Sequence, residues 1–250
     1  LMVDPSCLGS KAIGWHGRAE CHTLRPTLAH NQDTPCRSQA GVMRRLSDWP
    51  DPFDVILDFE RKLADWIGAP WCVTTDCCSH AMEIAWRLRP PQSSVSIVNH
   101  TYISVPQTLI KLNIPYSLRH EQWQDMYHCQ GSDVWDSARS LQQNQYQAGQ
   151  IQCVSFGRGK PLSIGIGGAL FTDDESLYES AHRMRYDGRD IRMRKQDWWS
   201  TGSVTTGYHY NLRPEEALIG LDLLEHNNLT PQPQATWQLY PDCSKIKIIS

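Results

Sequence analysis

The sequence predicts an α/β fold in which a mostly parallel sheet is flanked by helices. Short apolar runs typical of buried strands alternate with stretches whose apolar residues recur at helical spacing. Glycine or proline stands where several of these patterns stop, as expected at the ends of helices and strands. Strands that alternate with helices favour a layered fold with a largely parallel sheet.

The predicted elements follow one another in a regular order. A first helix begins near Phe53, runs through Ile67 and ends at Gly68. The strand-like runs are APWCV, SVSIV (94–98), IPYSL, SDVWD (132–136), QCVSF (152–156) and GGALFT (167–172). The later helices are predicted over HAMEIAWRL, TYISVPQTLIKL, DDESLYESAHRMRY and the second half of 207–227. No internal repeat is visible, and 250 residues suit one large domain, alone or with a small appendage.

The 250 residues divide into three predicted segments. Residues 1–50 form an irregular N-terminal arm, residues 51–228 form the main α/β domain, and residues 229–250 are too short to form a domain alone. Structural zinc sites usually contain a C-x2-C or H-x3-H pair, and the arm has neither, so no metal site is predicted. The zinc ligands considered for the arm are Cys7, His16, Cys21, His22, His30 and Cys36.

Composition argues against several classes of protein. A net charge of -3 and a pI near 6.4 do not fit a nucleic-acid-binding surface, and the basic run 183–195 is interrupted by Asp187 and Asp190. We expect that run to be solvated or to face an anion. Nine scattered cysteines do not suggest a disulfide framework, and neither a leader peptide nor a membrane-spanning run is seen. A cytoplasmic protein without nucleic-acid or membrane partners is expected.

Polar residues follow the apolar runs where the predicted strands end. Ligands of open α/β sheets bind outside the carboxyl ends of the strands, so these residues are the candidates for a site. They are Cys77, Cys78, Ser79, Tyr102, Asp136, Ser155 and Lys160. Together they offer a helix start, an aromatic ring, a carboxylate, a hydroxyl and an amine.

This set suits pyridoxal 5′-phosphate (PLP). A helix N-terminus binds phosphate, a partly desolvated lysine can form a Schiff base with an aldehyde, and a carboxylate keeps a pyridine nitrogen protonated. A nucleotide-binding P-loop is excluded, because Val154 and Pro161 stand where that motif needs Gly and Ser or Thr. Plain structural roles stay as alternatives: a solvated loop lysine at 160, a helix cap at Asp136 and simple packing at Tyr102.

Five segments, in order, resemble the DegT/DnrJ/EryC1/StrS family of PLP-dependent sugar aminotransferases, which have fold type I. The similarity runs from about residue 53 to 228. The segments are FERKLADWIGAPWCVTTDCCSHAMEIAWRL, SVSIVNHTYISVPQTLIKLNIPYS, VWDSARSL, VSFGRGKPLSIGIGGALFTDDESLYESAHRMRYDGRD and GYHYNLRPEEALIGLDLLE. The resemblance implies the large domain of that fold, with the C-terminal small domain largely missing.

The resemblance also implies roles for individual residues. Lys160 would hold the cofactor as an internal aldimine and shuttle protons, Asp136 would pair with the pyridinium nitrogen, and Tyr102 would stack on the ring. The phosphate would be held by the backbone of Cys78, by Ser79 and Ser155, and by the segment around His209 of a neighbouring subunit. A homodimer with its site at the subunit interface is therefore expected.

The chain departs from the family pattern near the cofactor and in length. Arg139 stands beside the cofactor where Gln or His is usual, His209 replaces Asn, and Ile166 replaces an acidic residue. The region between Tyr116 and Asp136 is shorter than in relatives. Arg139 is predicted to contact the cofactor or to pair with an acidic substrate or with Asp136.

Two functions are compatible with these residues. The first is a PLP-dependent aminotransferase that moves an amino group, expected from glutamate, to a keto-sugar nucleotide or a similar carbonyl compound. Lys160 argues against the dehydratase branch of the family, which has His at this place. The alternative is a shortened, non-catalytic relative that binds PLP or a protein partner in a scaffold or regulatory role.

Overall fold

A computed structural model describes residues 44–200, 204–229 and 236–248. The zinc candidates between Cys7 and Cys36 lie outside these residues. The helices are α1 (Asp54–Ile67), α2 (Cys78–Leu88), α3 (Ser104–Lys111), α4 (Glu175–Met184) and α5 (Pro214–Glu225). The strands are β1 (Trp71–Thr75), β2 (Val95–Val98), β3 (Tyr116–Arg119), β4 (Tyr127–His128), β5 (Val134–Asp136), β6 (Ile151–Ser155) and β7 (Gly168–Thr172). No helix in these ranges is long and apolar enough to span a membrane.

The strands form a five-stranded sheet in the order β1-β7-β6-β5-β4 and a separate pair, β2-β3. The β5/β6 and β2/β3 pairs are parallel, whereas β7 is antiparallel to both neighbours and β4 is antiparallel to β5. Only parallel neighbours need a long crossover, and no helix separates β6 from β7 or β4 from β5. The predicted α/β fold with flanking helices is confirmed, and these two short connections explain why its sheet is mixed.

The first helix packs against the last one through a continuous apolar face. Val55, Phe59, Leu63 and Ile67 of α1 are fully buried, and they recur at the helical spacing that the sequence predicted. A Cβ atom at Gly220 of α5 would lie 2.6 Å from the Phe59 ring, so the absence of a side chain there lets the two helices approach closely. This contact closes one side of the domain.

A buried ion pair ties α1 to β1 and to the end of α4. Arg185 is fully buried, and its guanidinium donates to both carboxylate oxygens of Glu60 and, at 2.9 Å, to the carbonyl oxygen of Thr74. Glu60 also accepts hydrogen bonds from the Thr74 amide at 2.6 Å and hydroxyl at 2.7 Å. The basic run 183–195 is expected to be solvated or to face an anion; Arg185 is buried rather than solvated, and the anion that it faces is Glu60 of α1.

Candidate active site at the carboxyl ends of β5 and β6

The strand ends meet at one edge of the five-stranded sheet. Asp136 is the last residue of β5 and Ser155 the last residue of β6, and the two strands are parallel neighbours. Gly168, at the start of β7, pairs with Ser155 on one side and with Thr75 of β1 on the other. The sheet thus brings a carboxylate, a hydroxyl and the turn that follows β1 to the same edge, as predicted.

The turn after β1 leads directly into α2 and lies against the start of β7. Cys77 is the N-cap of α2, and its side chain does not cap the helix, which leaves the N–H groups of Cys78 and Ser79 able to bind an anion. A Cβ atom at Gly168 would lie only 2.4 Å from the Cys78 nitrogen, so only glycine allows this approach. Ser79 lies in the first turn, where its hydroxyl donates to the Ser104 hydroxyl at 2.6 Å.

Asp136 is buried and held by two hydrogen bonds. Its carboxylate accepts from the hydroxyl of Tyr127 at 2.7 Å and from the backbone N–H of Ala138 at 2.9 Å. The Tyr127 hydroxyl is bonded in turn to the hydroxyl of Thr101. Burial raises the pKa of Asp136, and these two hydrogen bonds and the positive charge of Lys160 oppose that rise. The carboxylate is thus fixed in position before any ligand binds.

Lys160 lies in the loop between β6 and β7 and is half-buried rather than solvated. Its amine donates a hydrogen bond of 3.3 Å to the hydroxyl of Tyr240. Burial lowers the pKa of Lys160 and the neighbouring guanidinium of Arg139 lowers it further, while Asp136 and Cys78 act in the opposite direction. These influences favour the neutral, nucleophilic form of the amine more than at a solvated lysine.

Arg139 and Tyr240 complete the surroundings of the amine. The Arg139 Nε atom donates to the Tyr240 hydroxyl at 3.3 Å, and its Nη1 atom donates to the carbonyl oxygen of Gly159 at 3.5 Å. Burial, and secondly the charge of Asp136, raise the pKa of Tyr240 to about 12, against the effect of Arg139. Tyr240 was not among the predicted residues, because nothing in the sequence near it indicates that it packs on this edge.

The remaining candidates have different surroundings. Tyr102 is 57% exposed, and its ring centre is 6.3 Å from that of Tyr240. The half-buried Cys78 has a thiol pKa raised by burial and by the charge of Asp136. His209 is exposed and contacts Asp187 at 3.1 Å; no contact among the described residues joins it to Lys160.

Three possible metal ligands lie together just before this site. Donor atoms of Asp76, Cys77 and His80 are within 4.8 Å of one another. The His80 Nδ1 atom is already 2.6 Å from the Asp76 carboxylate. Burial lowers the pKa of His80, but hydrogen bonds to Asp76 and Cys77 outweigh it and raise the value to about 9. A proton held there would compete with a metal ion, and the absence of a metal requirement stays a prediction.

A separate cavity of about 460 Å³ opens on another part of the surface. It is lined by residues of the basic run and of the segment after it, including Arg189, Trp198 and Thr205. None of the predicted site residues lines it. The cavity therefore does not enlarge the site around Lys160.

The fold is an α/β domain of the kind found in fold type I PLP-dependent aminotransferases. Its backbone is similar to AtS13 from Actinomadura melliaura, with a TM-score of 0.56 and 18% identity over 70% of this chain and 60% of that one. It is also similar to the sugar aminotransferase CalS13 from Micromonospora echinospora, with a TM-score of 0.52 and 15% identity over 70% of this chain and 61% of that one. NtdA from Bacillus subtilis, solved with bound cofactor PMP, gives a TM-score of 0.54 and 12% identity over 69% of this chain and 48% of that one.

Part of the sequence also matches a family model. The model of the DegT/DnrJ/EryC1/StrS aminotransferase family matches residues 123–242, slightly less than half of the chain. The predicted family resemblance is confirmed, and the matched part includes Asp136 and Lys160. A search of the curated proteins gave no match. This chain spans between about half and three fifths of the length of the solved structures above.

Proposed function

We propose that this chain binds PLP through Lys160 and provides the cofactor-binding part of a sugar aminotransferase. One observation carries the proposal: a half-buried amine with a lowered pKa lies next to a buried, hydrogen-bonded carboxylate at the carboxyl edge of the sheet. A solvated loop lysine would show neither the burial nor the charged neighbours. The family match over residues 123–242 supports the same assignment.

The residues of this edge fit the parts of PLP. Lys160 would bind the aldehyde carbon, and Asp136 would hold the protonated ring nitrogen. The phosphate would lie at the start of α2, against the N–H groups of Cys78 and Ser79 and the hydroxyl of Ser155. Because Gly168 has no side chain, β7 can lie directly against the Cys78 backbone at the start of α2.

The chain's own groups would move and hold protons around the cofactor. When bound, PLP supplies an electron sink for the bond that breaks in the substrate. Lys160, released by the amino donor, would accept the α-proton of the donor at Nζ and return it, a role that its lowered pKa favours near neutral pH. Asp136 would stay ionised opposite a cationic ring, and Tyr102 would cover one face of that ring.

Arg139 and His209 are assigned to the periphery of the proposed site. Arg139, beside Lys160 and Tyr240, would contact the cofactor or attract the carboxylate of an acidic amino donor such as glutamate. His209 is largely exposed, so we propose that it faces a second subunit of a homodimer and reaches that subunit's phosphate. A keto-sugar nucleotide or similar carbonyl compound would be the acceptor, a proposal supported by the similarity to the sugar aminotransferase CalS13.

A non-catalytic PLP-binding relative is the second proposal. The observation that favours it is length, because the chain spans 61% of CalS13 and 48% of NtdA. A cofactor-binding edge does not by itself complete a substrate pocket. Under this proposal PLP would bind, but an amino donor would leave its spectrum unchanged.

Borohydride trapping tests both proposals. The purified chain is mixed with PLP, the absorbance near 400 nm is followed, and borohydride is added before peptide mapping by mass spectrometry. The adduct is expected on Lys160 and lost in Lys160→Ala, while Lys245→Ala, which changes a lysine with an 81% exposed side chain, should behave like the native chain. Bleaching by glutamate supports the enzyme over the non-catalytic relative. An adduct spread over surface lysines would disprove both.

A further inference from the structure

Residues 236–246, called here the crossing segment, pass beside the loop that carries Lys160. The Trp237 amide donates to the Trp123 carbonyl oxygen at 3.1 Å, and the Cys243 amide donates to that of Asn99 at 2.8 Å. A ring nitrogen of His100 lies 2.9 Å from the Tyr240 carbonyl oxygen. Backbone hydrogen bonds therefore fix both ends of the segment on the domain, with Tyr240 between them.

Tyr240 turns inward while its neighbour turns outward. The Leu239 side chain is 52% exposed, whereas the Tyr240 ring lies 5.7 Å from the Trp123 ring. The Tyr240 hydroxyl accepts hydrogen bonds from Lys160 Nζ and from Arg139 Nε, both at 3.3 Å. This oxygen thus contacts the nitrogen to which, under the proposed function, the aldehyde would bond.

We propose that Tyr240 is a gate and positioning residue for Lys160, and that its phenol must withdraw before an aldehyde reaches the amine. The proposal rests on the proposed function only in taking PLP as that aldehyde. Two effects of the phenol act together. Its ring and hydroxyl occupy space beside Nζ, and its oxygen holds the amine in a hydrogen bond that must break before the amine attacks.

The raised pKa of Tyr240 is consistent with this role. Because burial and the Asp136 carboxylate keep the phenol protonated, Tyr240 accepts from Lys160 as a neutral group and can leave without separating an ion pair. The gate would therefore open by breaking the two hydrogen bonds that Lys160 and Arg139 donate to the phenol, with no ion pair to separate.

The gate can be tested without PLP, by acetylating the amine. Attack of neutral Lys160 on acetic anhydride joins Nζ to a carbonyl carbon, releases acetate and passes the amine proton to solvent. The rate at Lys160 is measured by mass spectrometry relative to exposed Lys245 in the same sample. Tyr240→Ala is expected to raise this relative rate about tenfold, because it removes one hydrogen bond to a charged group and opens the path of the reagent to Nζ. Tyr240→Phe should raise it by less, because the ring stays in place.

The matched control is Leu239→Ala in the same segment, which should leave the relative rate unchanged. Circular dichroism and thermal unfolding confirm that each variant is folded, and Tyr240→Phe keeps the ring if Tyr240→Ala does not fold. Equal rates in the native chain and in both Tyr240 variants would overturn the gate.

A second readout separates this proposal from the cofactor assignment. If PLP is trapped on Lys160 no faster in the Tyr240 variants than in the native chain, the gate is wrong although PLP binding stands. If acetylation of Lys160 accelerates while PLP is never trapped there, the gate holds and the cofactor assignment fails.

Discussion

The hydroxyl of Tyr127 donates a 2.7 Å hydrogen bond to the carboxylate of Asp136, and both side chains are at least 93% buried. Tyr127 lies on β4 and is the antiparallel partner of Asp136 on β5. The short hairpin between these strands therefore sets the orientation of the carboxylate. Thr101, bonded to the same hydroxyl, extends the chain of hydrogen bonds towards the end of β2.

Tyr127→Phe is expected to weaken PLP binding about tenfold, because a buried carboxylate loses a donor. The tyrosine opposes the burial that raises the pKa of Asp136, so the variant should have a still higher pKa there. The ionised form is lost as pH falls through that pKa, and binding should therefore fail at higher pH than in the native chain. Spectroscopic titration at several pH values measures both effects. Tyr116→Phe, on the separate β2-β3 pair, should change neither.

The pH dependence of acetylation should reveal the opposite effects of Arg139 and Asp136 on the pKa of Lys160. The midpoint is expected below the ordinary lysine value of about 10.4, since burial and Arg139 lower the pKa. Arg139→Met should move it up and Asp136→Asn should move it down, because Asp136 favours the ammonium. The contribution of Lys160 to the free energy of unfolding is fully present above the ordinary pKa of lysine. It declines as pH falls from there towards the lowered pKa of Lys160 in the folded state. Shifts of the same sign in both variants would contradict this account.

Gly168→Ala is expected to disrupt the turn that leads into α2. The new Cβ would lie 2.4 Å from the Cys78 nitrogen, and the nearest atoms all belong to the backbone of Cys77 and Cys78, which cannot rotate away. A destabilisation of about 1–3 kcal/mol and loss of PLP binding should follow. Gly157→Ala, in the loop between β6 and β7, is the control, because its Cβ would meet only the Ser155 hydroxyl at 3.5 Å. Equal unfolding midpoints for the two variants would show that the close approach is not needed.

The strand ends could be located from the sequence because each end is a local signal. Asp136 and Ser155 close short apolar runs, and parallel strands bring such ends to one edge. The five helices followed their apolar spacing in the same way, as α1 shows between Val55 and Ile67. These predictions needed only neighbouring residues, so tertiary structure did not alter them.

The sequence could not reveal partners that come from distant parts of the chain. Tyr240 reaches Lys160 across 80 positions, and Arg185 reaches Glu60 across 125. Neither tyrosine nor arginine carries a local pattern that marks it as buried. The sequence predicted mostly parallel strands and did not reveal the antiparallel β6/β7 pair, because the loop between these strands carries no local signal that marks a hairpin.

Arg185→Leu is expected to destabilise the domain by about 3–5 kcal/mol, because it leaves the carboxylate of Glu60 buried without its cation. Arg183→Leu is the matched control two positions earlier, where the arginine side chain is 40% exposed and pairs with Glu179 on the surface. That change should cost less than about 1 kcal/mol. The double variant Arg185→Leu with Glu60→Leu should recover part of the loss, because no buried charge is then unpaired. Urea unfolding measures all three variants, and a double variant less stable than Arg185→Leu alone would show that packing, rather than charge, explains the cost.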